Sequence, residues 1–259
     1  MTGAARKAYG QHFLADRNIL RVAARLAVLD ADDVVLEVGS GRGVLTVFLA
    51  ERVARVHAVE IDRALAPQLE AALADHENVD LVWGDALRLD LARLAPAPNK
   101  LVANLPYNIA TPLVVESLSA LPSLDSWCVM VQREVADRFF AEPATKAYGA
   151  VSVLLQLAAE RTGFHAVSRH VFRPEPGVDS ALVAFRRIPL AGDFAEIKAV
   201  VEAAFSHRRK TLANALQLAG IVDRETAVAA LAAIGRKPTV RAETLSPPEF
   251  AMLAETLRP

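Results

Sequence analysis

Apolar runs typical of buried strands alternate with helical segments between residues 16 and 141, and this alternation constrains the fold more than any other feature. Parallel strands need a long crossover connection, usually a helix, so the pattern favours right-handed βαβ units and a mostly parallel sheet. The predicted strands are DVVLEV at 33–38, ARVHAVE at 54–60, VDLVWG at 79–84, KLVANL at 100–105 and WCVMVQ at 127–132. The predicted fold class is therefore α/β.

The pattern changes after about residue 160. HAVSRHVF at 165–172 and SALVAFRRI at 180–188 have no helix between them, which indicates an antiparallel pair that closes the sheet edge. Beyond about residue 190 the segments are helical only, and Pro189 and Gly192 mark the change. We therefore expect an α/β domain over 1–190 and a small all-helical domain over 191–259. The predicted C-terminal helices cover 195–205, 210–220, 225–235 and 247–257.

Composition and charge exclude several classes of protein. The 259 residues carry a formal net charge of -1, which argues against coating nucleic acid by bulk charge. The single cysteine, Cys128, rules out an intrachain disulfide and argues against a thiolate metal site, so a reducing cytoplasm is the expected compartment. Its apolar neighbours indicate a packed, inert thiol. The chain has no apolar run long enough for a transmembrane helix, and its first residues lack a signal-peptide core.

A glycine-rich loop, EVGSGRG at 37–43, separates the first predicted strand from the helix that follows it. Three glycines allow a tight turn and let a bulky ligand approach the main chain and the helix N-terminus. A nicotinamide or flavin site is the alternative, but dinucleotide loops read G-x-G-x-x-G. Here the spacing is G-x-G-x-G with Glu37 two residues before the first glycine, which resembles motif I of S-adenosylmethionine-dependent methyltransferases.

Two acidic residues follow the next two predicted strands. Glu60 ends the second strand, where a carboxylate can accept hydrogen bonds from both hydroxyls of a ribose. Asp85 follows the third strand and can accept a hydrogen bond from an exocyclic adenine amine. We expect their neighbours Ile61 and Ala86 to contact the same cofactor. Because ligands of parallel sheets bind at the carboxyl ends of the strands, one cofactor could contact the glycine loop and both acids.

Asn104, Leu105, Pro106 and Tyr107 form a polar corner at the end of the fourth predicted strand. This corner resembles motif IV of amino-methyltransferases, which methylate the exocyclic NH2 group of a base. The Asn104 side-chain oxygen and the Leu105 carbonyl can each accept one N–H of that amine, which favours a pyramidal nitrogen with its lone pair toward the methyl donor. Pro106 fixes φ at the corner, and Tyr107 can stack on a flipped-out base.

Further segments extend the resemblance over nearly the whole chain. In order they are YGQHFL, EVGSGRGVLT, VEID, GDAL, ANLPYNIATPL, VQREVADR, KAYGAVSVL, FRPEPGVDSALV and FSHRRKTLANAL. Together they resemble the KsgA family of ribosomal RNA adenine dimethyltransferases. The resemblance implies a Rossmann-like class I methyltransferase domain with a seven-stranded sheet and S-adenosylmethionine as cofactor. It also implies double methylation at N6 of two adjacent adenosines in a hairpin near the 3′ end of small-subunit rRNA.

The resemblance also implies roles for individual residues. Those expected to border the cofactor, besides the two acids and their neighbours, are His12, Leu14, Gly39, Gly41 and Asn104. Phe172 would be a second aromatic wall that grips the adenine from the side opposite Tyr107. Two positions depart from the family pattern. His12 replaces a common asparagine, which puts its hydrogen bond to the cofactor in doubt, and Gly177 stands where many relatives have a lysine that would contact phosphate.

The segment FSHRRKTL contains the densest basic cluster, and the resemblance assigns rRNA binding to Arg208, Arg209 and Lys210. Phosphate contacts position a substrate without specifying its sequence. Because the net charge is near zero, we expect recognition of an assembled small ribosomal subunit rather than of naked RNA. Nothing in the sequence demands an oligomer, a membrane or a metal, so the expected form is a cytoplasmic monomer.

The expected reaction is a direct in-line transfer of a methyl group, without a covalent enzyme intermediate and without a metal. Three alternatives stay open. An Erm-like methyltransferase of large-subunit rRNA shares the fold and motif IV, although such enzymes more often read Asn-Ile-Pro-Tyr. A ribosome-assembly checkpoint would depend on binding more than on catalysis. A protein or small-molecule methyltransferase is disfavoured by the Asn-Leu-Pro-Tyr sequence at 104–107.

Overall fold

The computed structural model describes residues 12–14, 16–190, 192–207 and 209–258. Packing divides the chain into two units: Met1–Ala136 with Arg161–Arg187, and Asp137–Glu160 with Ile188–Pro259. The division after Arg187 lies close to the predicted domain boundary at 190. The sequence pattern, however, assigned 137–160 to the first domain, whereas packing places these residues with the C-terminal helices.

Strands and helices alternate along the first part of the chain, as the apolar periodicity predicts. In chain order the elements are β1 (Phe13–Leu14), α1 (Arg17–Ala27), β2 (Val34–Val38), α2 (Val44–Ala50), β3 (Arg55–Glu60), α3 (Ala66–Leu73), β4 (Val79–Trp83), β5 (Lys100–Asn104), α4 (Ala110–Ala120), β6 (Ser126–Gln132), α5 (Arg133–Phe139), α6 (Ala150–Ala158), β7 (Ala159–Val167), β8 (Phe172–Arg173), β9 (Ser180–Arg187), α7 (Phe194–Ser206), α8 (Leu212–Leu218), α9 (Arg224–Ala233) and α10 (Pro247–Thr256).

Seven strands form one sheet in the order β4-β3-β2-β5-β6-β9-β7. The pairs β3–β4, β2–β3, β2–β5 and β5–β6 are parallel, and β9 runs antiparallel to β6. The predicted mostly parallel, seven-stranded sheet is therefore confirmed. Strand order reverses between β2 and β5, and such a switch point opens a crevice at the carboxyl ends of the strands. The glycine loop follows β2 at this place, and Asn104 ends β5 beside it.

The sheet edge differs from the prediction. The predicted strand over 165–172 exists beside β9 at the sheet edge, but its bounds are wrong, because β7 covers Ala159–Val167 and ends five residues earlier. Its sequence, AERTGFHAV, carries exposed polar residues on a strand at the sheet edge, so no apolar run marks it. Residues Phe172–Arg173 instead form a separate two-residue strand, β8, which pairs antiparallel with β1. The helix α6, just before β7, had no counterpart in the predicted elements.

Helix α1 has a capping residue at each end. Asp16 caps its N-terminus, because its side chain accepts a hydrogen bond of 2.7 Å from the backbone N–H of Asn18. Val28 closes the C-terminus in the left-handed region, with φ at 48° and ψ at 56°. A β-branched residue rarely adopts this conformation, which glycine or asparagine normally provides. The Val28 side chain is 74% exposed, so it packs little that would offset the strain.

Replacing Val28 with glycine should therefore stabilise the protein by about 1 kcal/mol, because the strain of the left-handed conformation exceeds the added entropy of the unfolded chain. Urea unfolding of the two proteins measures the difference. Val178 is a matched control, because it is also exposed, at 48%, and its φ is not positive. Val178→Gly should lower stability. A Val28→Gly variant as unstable as this control would show that Val28 is not strained.

The second unit contains α6 and the four C-terminal helices, and each predicted C-terminal helix is present within a few residues. Helix α6 packs against α7 and α10 because its apolar residues, among them Val153 and Leu155, are fully buried. This packing explains why 137–160 join the C-terminal helices. Arg236 donates to both oxygens of Glu249, at 2.5 and 2.7 Å, which ties the segment after α9 to α10. Over the described residues, every helix is too short or too polar for a bilayer crossing.

Candidate active site

A cavity of about 300 Å³ opens where the glycine loop and the ends of β2, β3 and β5 meet. The predicted residues that line it are His12, Leu14, Gly39, Gly41, Glu60, Ile61, Asp85, Ala86, Asn104, Leu105, Pro106 and Tyr107. Residues assigned separately to a cofactor and to a target amine thus share one cavity. Helix α1 also contributes to the wall through Ile19, Leu20 and Ala23, which the motifs did not reveal.

The glycine loop has a backbone that only glycine accommodates easily. Gly39, Gly41 and Gly43 have φ values of 83°, 58° and 81°. A Cβ atom on Gly39 would lie 3.0 Å from Cδ of Pro106, and one on Gly41 would lie 3.2 Å from the ring of Phe13. The loop therefore packs directly against the Asn-Leu-Pro-Tyr corner. Each of these two motifs limits the space available to the other.

Glu60 holds the glycine loop as well as facing the cavity. Its Oε2 accepts a hydrogen bond of 2.8 Å from the backbone N–H of Gly41. Its Oε1 accepts bonds of 2.8 Å from the backbone N–H groups of Ile61 and Asp62. A carboxylate offers about four acceptor positions, so these three bonds leave one. Accepting both hydroxyls of a ribose, as predicted, would require one of these three hydrogen bonds to break.

Glu37 is a buried carboxyl in the cavity wall. It is 1% exposed, and its Oε2 has no hydrogen-bond partner among the described residues. Burial raises the pKa of Glu37 to about 8; the nearby hydroxyls of Thr46 and Ser40 oppose this rise, and the charge of Glu60 adds to it. A buried polar atom without a partner in a cavity wall marks a place for a polar group of a ligand.

The raised pKa of Glu37 predicts a pH dependence of stability. The pKa of Glu37 in the folded protein lies above the ordinary value of 4.5. The contribution of this group to stability is therefore fully present below pH 4.5 and is lost as the pH rises to about 8. The slope is at most about 1.4 kcal/mol per pH unit. Glu37→Gln should remove this slope and leave the variant more stable than the wild type at pH 9. Urea unfolding between pH 5 and 9 measures it, with the exposed Glu70→Gln as control. Parallel pH curves for the wild type and Glu37→Gln would contradict the prediction.

Asp85 lies just after β4, with its side chain 34% exposed. Its Oδ1 accepts a hydrogen bond of 3.0 Å from the N–H of Leu87, and its Oδ2 lies 3.5 Å from Nε of Arg88. Ala86 is buried beside it in the cavity wall, and Ile61 is 43% exposed at the end of β3. An apolar side chain and a carboxylate at one rim suit an adenine ring with an exocyclic amine.

At the target-amine corner, Asn104 is oriented by the main chain. Its Nδ2 donates a hydrogen bond of 3.1 Å to the carbonyl of His12, which leaves Oδ1 as the acceptor. No described residue donates to that oxygen or to the carbonyl of Leu105. The N–H of Leu105 donates to the carbonyl of Met130, which fixes the corner against β6. Two acceptors are thus available for the two hydrogens of one amine.

Tyr107 is held by contacts that sequence reasoning missed. Its hydroxyl lies 2.7 Å from Oγ of Ser180, and its ring stacks on His12 with centroids 5.6 Å apart. Burial raises the pKa of Tyr107, and the hydrogen bond with Ser180 lowers it by a smaller amount. Nδ1 of His12 lies 2.8 Å from the carbonyl of Pro174. Ser180 and Pro174 are 73 and 162 residues from their partners, so no local pattern could have revealed these contacts.

Phe172 does not line the cavity in this structure. It is fully buried in the core of the first unit, opposite Leu14 in the short β1–β8 pair. Because side chains alternate along a strand, the same pairing that exposes Arg173 turns Phe172 inward. The predicted second aromatic wall is therefore not formed here, since a fully buried ring offers no face to a base.

The predicted basic cluster lies in the second unit, between α7 and α8. Arg209 and Lys210 are exposed there, and Arg208 lies outside the described residues.

Cys128 has the packed, inert thiol that the sequence predicts. Cys128 is buried, its Sγ donates to the carbonyl of Ala23 at 3.6 Å, and burial raises the pKa of the thiol to about 12. A thiol with so high a pKa is not a nucleophile at neutral pH.

Comparison with known proteins identifies the family. A family model described as ribosomal RNA adenine dimethylase matches residues 3–256. The chain belongs to the ribosomal RNA adenine dimethylase family. It is 49% identical over 255 residues to ribosomal RNA small subunit methyltransferase A of Rubrobacter xylanophilus, covering 98% of this chain and 95% of that protein. The identity to the protein of the same name from Geobacter metallireducens is 43% over 264 residues, with 98% and 95% coverage.

Solved structures agree with this membership. The dimethyladenosine transferase of Plasmodium falciparum matches with a TM-score of 0.77 over 93% of this chain and 96% of its own, at 24% identity, which supports the shared fold. The 23S rRNA methyltransferase ErmE matches with a TM-score of 0.68 at 30% identity, over 95% and 99% of the two chains. The predicted family and class I methyltransferase fold are confirmed, and the protein is a ribosomal RNA adenine methyltransferase.

Proposed function

We propose that this protein methylates N6 of two adjacent adenosines, twice each, in a hairpin near the 3′ end of small-subunit (16S) rRNA. The observation that carries the proposal is the pair of available acceptors at Asn104 and Leu105, which share a cavity with the glycine loop. Two acceptors match the two hydrogens of an exocyclic amine. The relatives that are 43% and 49% identical are named small-subunit methyltransferases, which favours the small-subunit RNA.

The residues present fit S-adenosylmethionine as methyl donor. Glu37 presents an unpartnered buried oxygen, Gly39 leaves no room for a side chain beside Pro106, and Glu60 keeps one acceptor position. The residues that would hold this cofactor are His12, Leu14, Gly39, Gly41, Glu60, Ile61, Asp85, Ala86 and Asn104, all of which line the cavity. When bound, it supplies a methyl group on positively charged sulfur, which an amine nitrogen can attack directly.

The chain itself contributes orientation. Asn104 Oδ1 and the Leu105 carbonyl would hold both amine hydrogens, which favours a pyramidal nitrogen whose lone pair is no longer delocalised into the ring. The hydroxyl bond to Ser180 fixes Tyr107 as a platform on which the base can stack. The cofactor would supply the methyl group to N6, which would lose one proton; the part of this chain is to hold the nitrogen in position for the transfer. Fixed acceptors and an apolar wall account for rate enhancement through positioning and exclusion of water.

The rRNA would also contact the exposed basic cluster. Replacing both Arg209 and Lys210 with alanine should weaken binding to the small subunit and reduce the slope of log affinity against log salt by about 2. Binding assays at several salt concentrations measure both quantities. Lys237→Ala, which removes an exposed charge elsewhere in the same unit, is the control and should change little. An unchanged salt slope in the double variant would show that these side chains do not contact phosphate.

The decisive experiment is incubation with labelled S-adenosylmethionine and immature small subunits that lack the modification, followed by mapping of the label. We expect N6,N6-dimethyladenine at two adjacent positions near the 3′ end of the small-subunit rRNA. Label in large-subunit RNA would instead support the Erm-like activity, to which the 30% identity with ErmE points. Deproteinised rRNA, tested in parallel, should be a poorer substrate, since we propose that a monomeric enzyme recognises the assembled particle in the cytoplasm.

A role as an assembly checkpoint can coexist with catalysis. The complete set of acceptors in the cavity supports a working enzyme. A strain without the protein and a strain with a catalytically inactive Asn104 variant separate the two roles. Assembly defects confined to the first strain would show that binding, rather than methylation, supports subunit maturation.

A further inference from the structure

Helix α1 carries a row of arginines on its outer face. Arg17, Arg21 and Arg25 follow one another at intervals of four residues, and all three are exposed. Side chains at this spacing lie on the same face of a helix, about 6 Å apart along its axis. The helix sequence, RNILRVAARLA, contains no acidic residue. These three residues, the α1 arginine row, concentrate positive charge locally on a chain whose formal net charge is -1.

The opposite face of α1 belongs to the candidate active site. Ile19, Leu20 and Ala23 are buried there and line the cavity. Helix α1 and the other elements that line the cavity lie in the same packed unit. The α1 arginine row therefore lies on the outer surface of an element whose inner face is a wall of the cavity. An RNA strand that places one base in the cavity keeps its neighbouring phosphates outside, over the elements that surround it.

The charges of the α1 arginine row are not neutralised within the described part of the chain. None of the three side chains forms an ion pair there, and Nη1 of Arg21 donates a hydrogen bond of 3.1 Å to the neutral amide of Asn18. Like charges four residues apart repel each other and destabilise a helix. Arg17 also lies in the first turn, where the helix dipole disfavours a cation. The row thus opposes the folding of α1, and an anionic partner would relieve this repulsion.

We propose that the α1 arginine row binds phosphates of the rRNA strand next to the target adenosines and so positions this strand beside the cavity. A guanidinium group can donate two parallel hydrogen bonds to one phosphate. Such contacts hold an RNA in place without reading its sequence. This inference rests on the proposed function. It gives the catalytic unit an RNA-binding surface of its own, in addition to the basic cluster at Arg209 and Lys210 in the second unit.

The first test measures binding to immature small subunits at several salt concentrations. The triple variant Arg17→Gln, Arg21→Gln, Arg25→Gln should bind at least about tenfold more weakly at low salt, and the slope of log affinity against log salt should fall by about 2 to 3. The corresponding triple lysine variant keeps the charges and should keep most of the slope. Arg93→Gln is the control, because Arg93 is exposed in the same unit but pairs with Asp90 at 2.8 Å. An unchanged slope in the triple glutamine variant, or an equal loss per charge in the control, overturns the inference.

The second test separates RNA binding from a structural role of the row. The melting temperature of the triple glutamine variant should be equal to or higher than that of the wild type, because glutamine favours helix and the repulsion is gone. The dissociation constant of S-adenosylmethionine, and the single-turnover rate at saturating small subunits, should each change less than about twofold. A slower rate at saturation with unchanged binding overturns the inference, because the substitutions would then act through the cavity wall.

Two further comparisons identify the partner and separate this inference from the function on which it rests. The loss of salt slope should also be seen with deproteinised small-subunit rRNA. A loss confined to assembled subunits would make an acidic ribosomal protein the partner and overturn the inference. Mapping of the methyl label tests the proposed function separately. If the label appears in large-subunit RNA, the proposed function fails, and the salt slope measured with that RNA still decides whether the α1 arginine row contacts phosphate.

Discussion

Asn104→Ala should lower the rate of methyl transfer by about 10²- to 10³-fold while leaving S-adenosylmethionine binding nearly unchanged. The variant removes one of the two acceptors for the amine hydrogens, and the contact of Nδ2 with the His12 carbonyl is lost with it. The target nitrogen then stays planar, with its lone pair delocalised into the π system of the ring, where it is a poor nucleophile. Single-turnover rates with immature small subunits, together with calorimetry of the cofactor, measure the two effects.

Matched asparagine and aspartate variants sharpen this test. Asn108 lines the same cavity four residues later and is exposed, so Asn108→Ala should have a far smaller effect. Asn104→Asp keeps an acceptor but loses the donor to the His12 carbonyl, and should fall between the wild type and Asn104→Ala. A near wild-type rate for Asn104→Ala would show that its side chain does not hold the amine.

Gly39→Ala should destabilise the protein by about 2–4 kcal/mol and abolish most of the cofactor affinity. Two costs add at this position. The backbone has φ at 83°, which disfavours any side chain, and the new Cβ would lie 3.0 Å from Cδ of Pro106. Relief of the second cost would push the glycine loop away from the corner and change the shape of the cavity. Urea unfolding and cofactor calorimetry measure both consequences.

Gly177→Ala is the matched control for Gly39→Ala. A Cβ atom at Gly177 has no neighbour within 4 Å, and its φ is not positive, so this substitution should be nearly neutral. If the two alanine variants unfold at the same urea concentration, close packing between the loop and Pro106 is not important in solution. Gly177 also stands where many relatives have a lysine. Gly177→Lys would restore that positive charge without a steric clash, and so would test whether it contacts a phosphate of the rRNA.

The motifs that could be recognised in the sequence are those whose residues lie within a few positions of one another. The glycine loop needs three residues with positive φ within five positions, and the corner needs Asn104 and Pro106 two residues apart. Parallel topology then brings successive strand ends together, so the location of Glu60 beside the loop also followed from sequence. These features depend on local backbone geometry and on one rule of sheet construction.

The features that sequence did not reveal depend on distant contacts. Ser180 reaches Tyr107 across 73 residues, and the burial of Phe172 depends on pairing with β1. The edge strand β7 carries three consecutive exposed residues, Glu160 to Thr162, so no apolar run revealed it. The contact between the His12 ring and the carbonyl of Pro174 likewise joins residues far apart in the chain, and no spacing rule connects the two.

The three amide bonds to Glu60 have a consequence for how the enzyme binds a methyl donor. One of them comes from Gly41 and anchors the glycine loop to the end of β3 before a ligand arrives, and the other two come from the residues that follow Glu60. A ribose that uses both hydroxyls must displace one of these bonds. Binding of the donor at this carboxylate is therefore an exchange of hydrogen bonds, which favours a ligand that offers two hydroxyls in place of the one amide that it displaces.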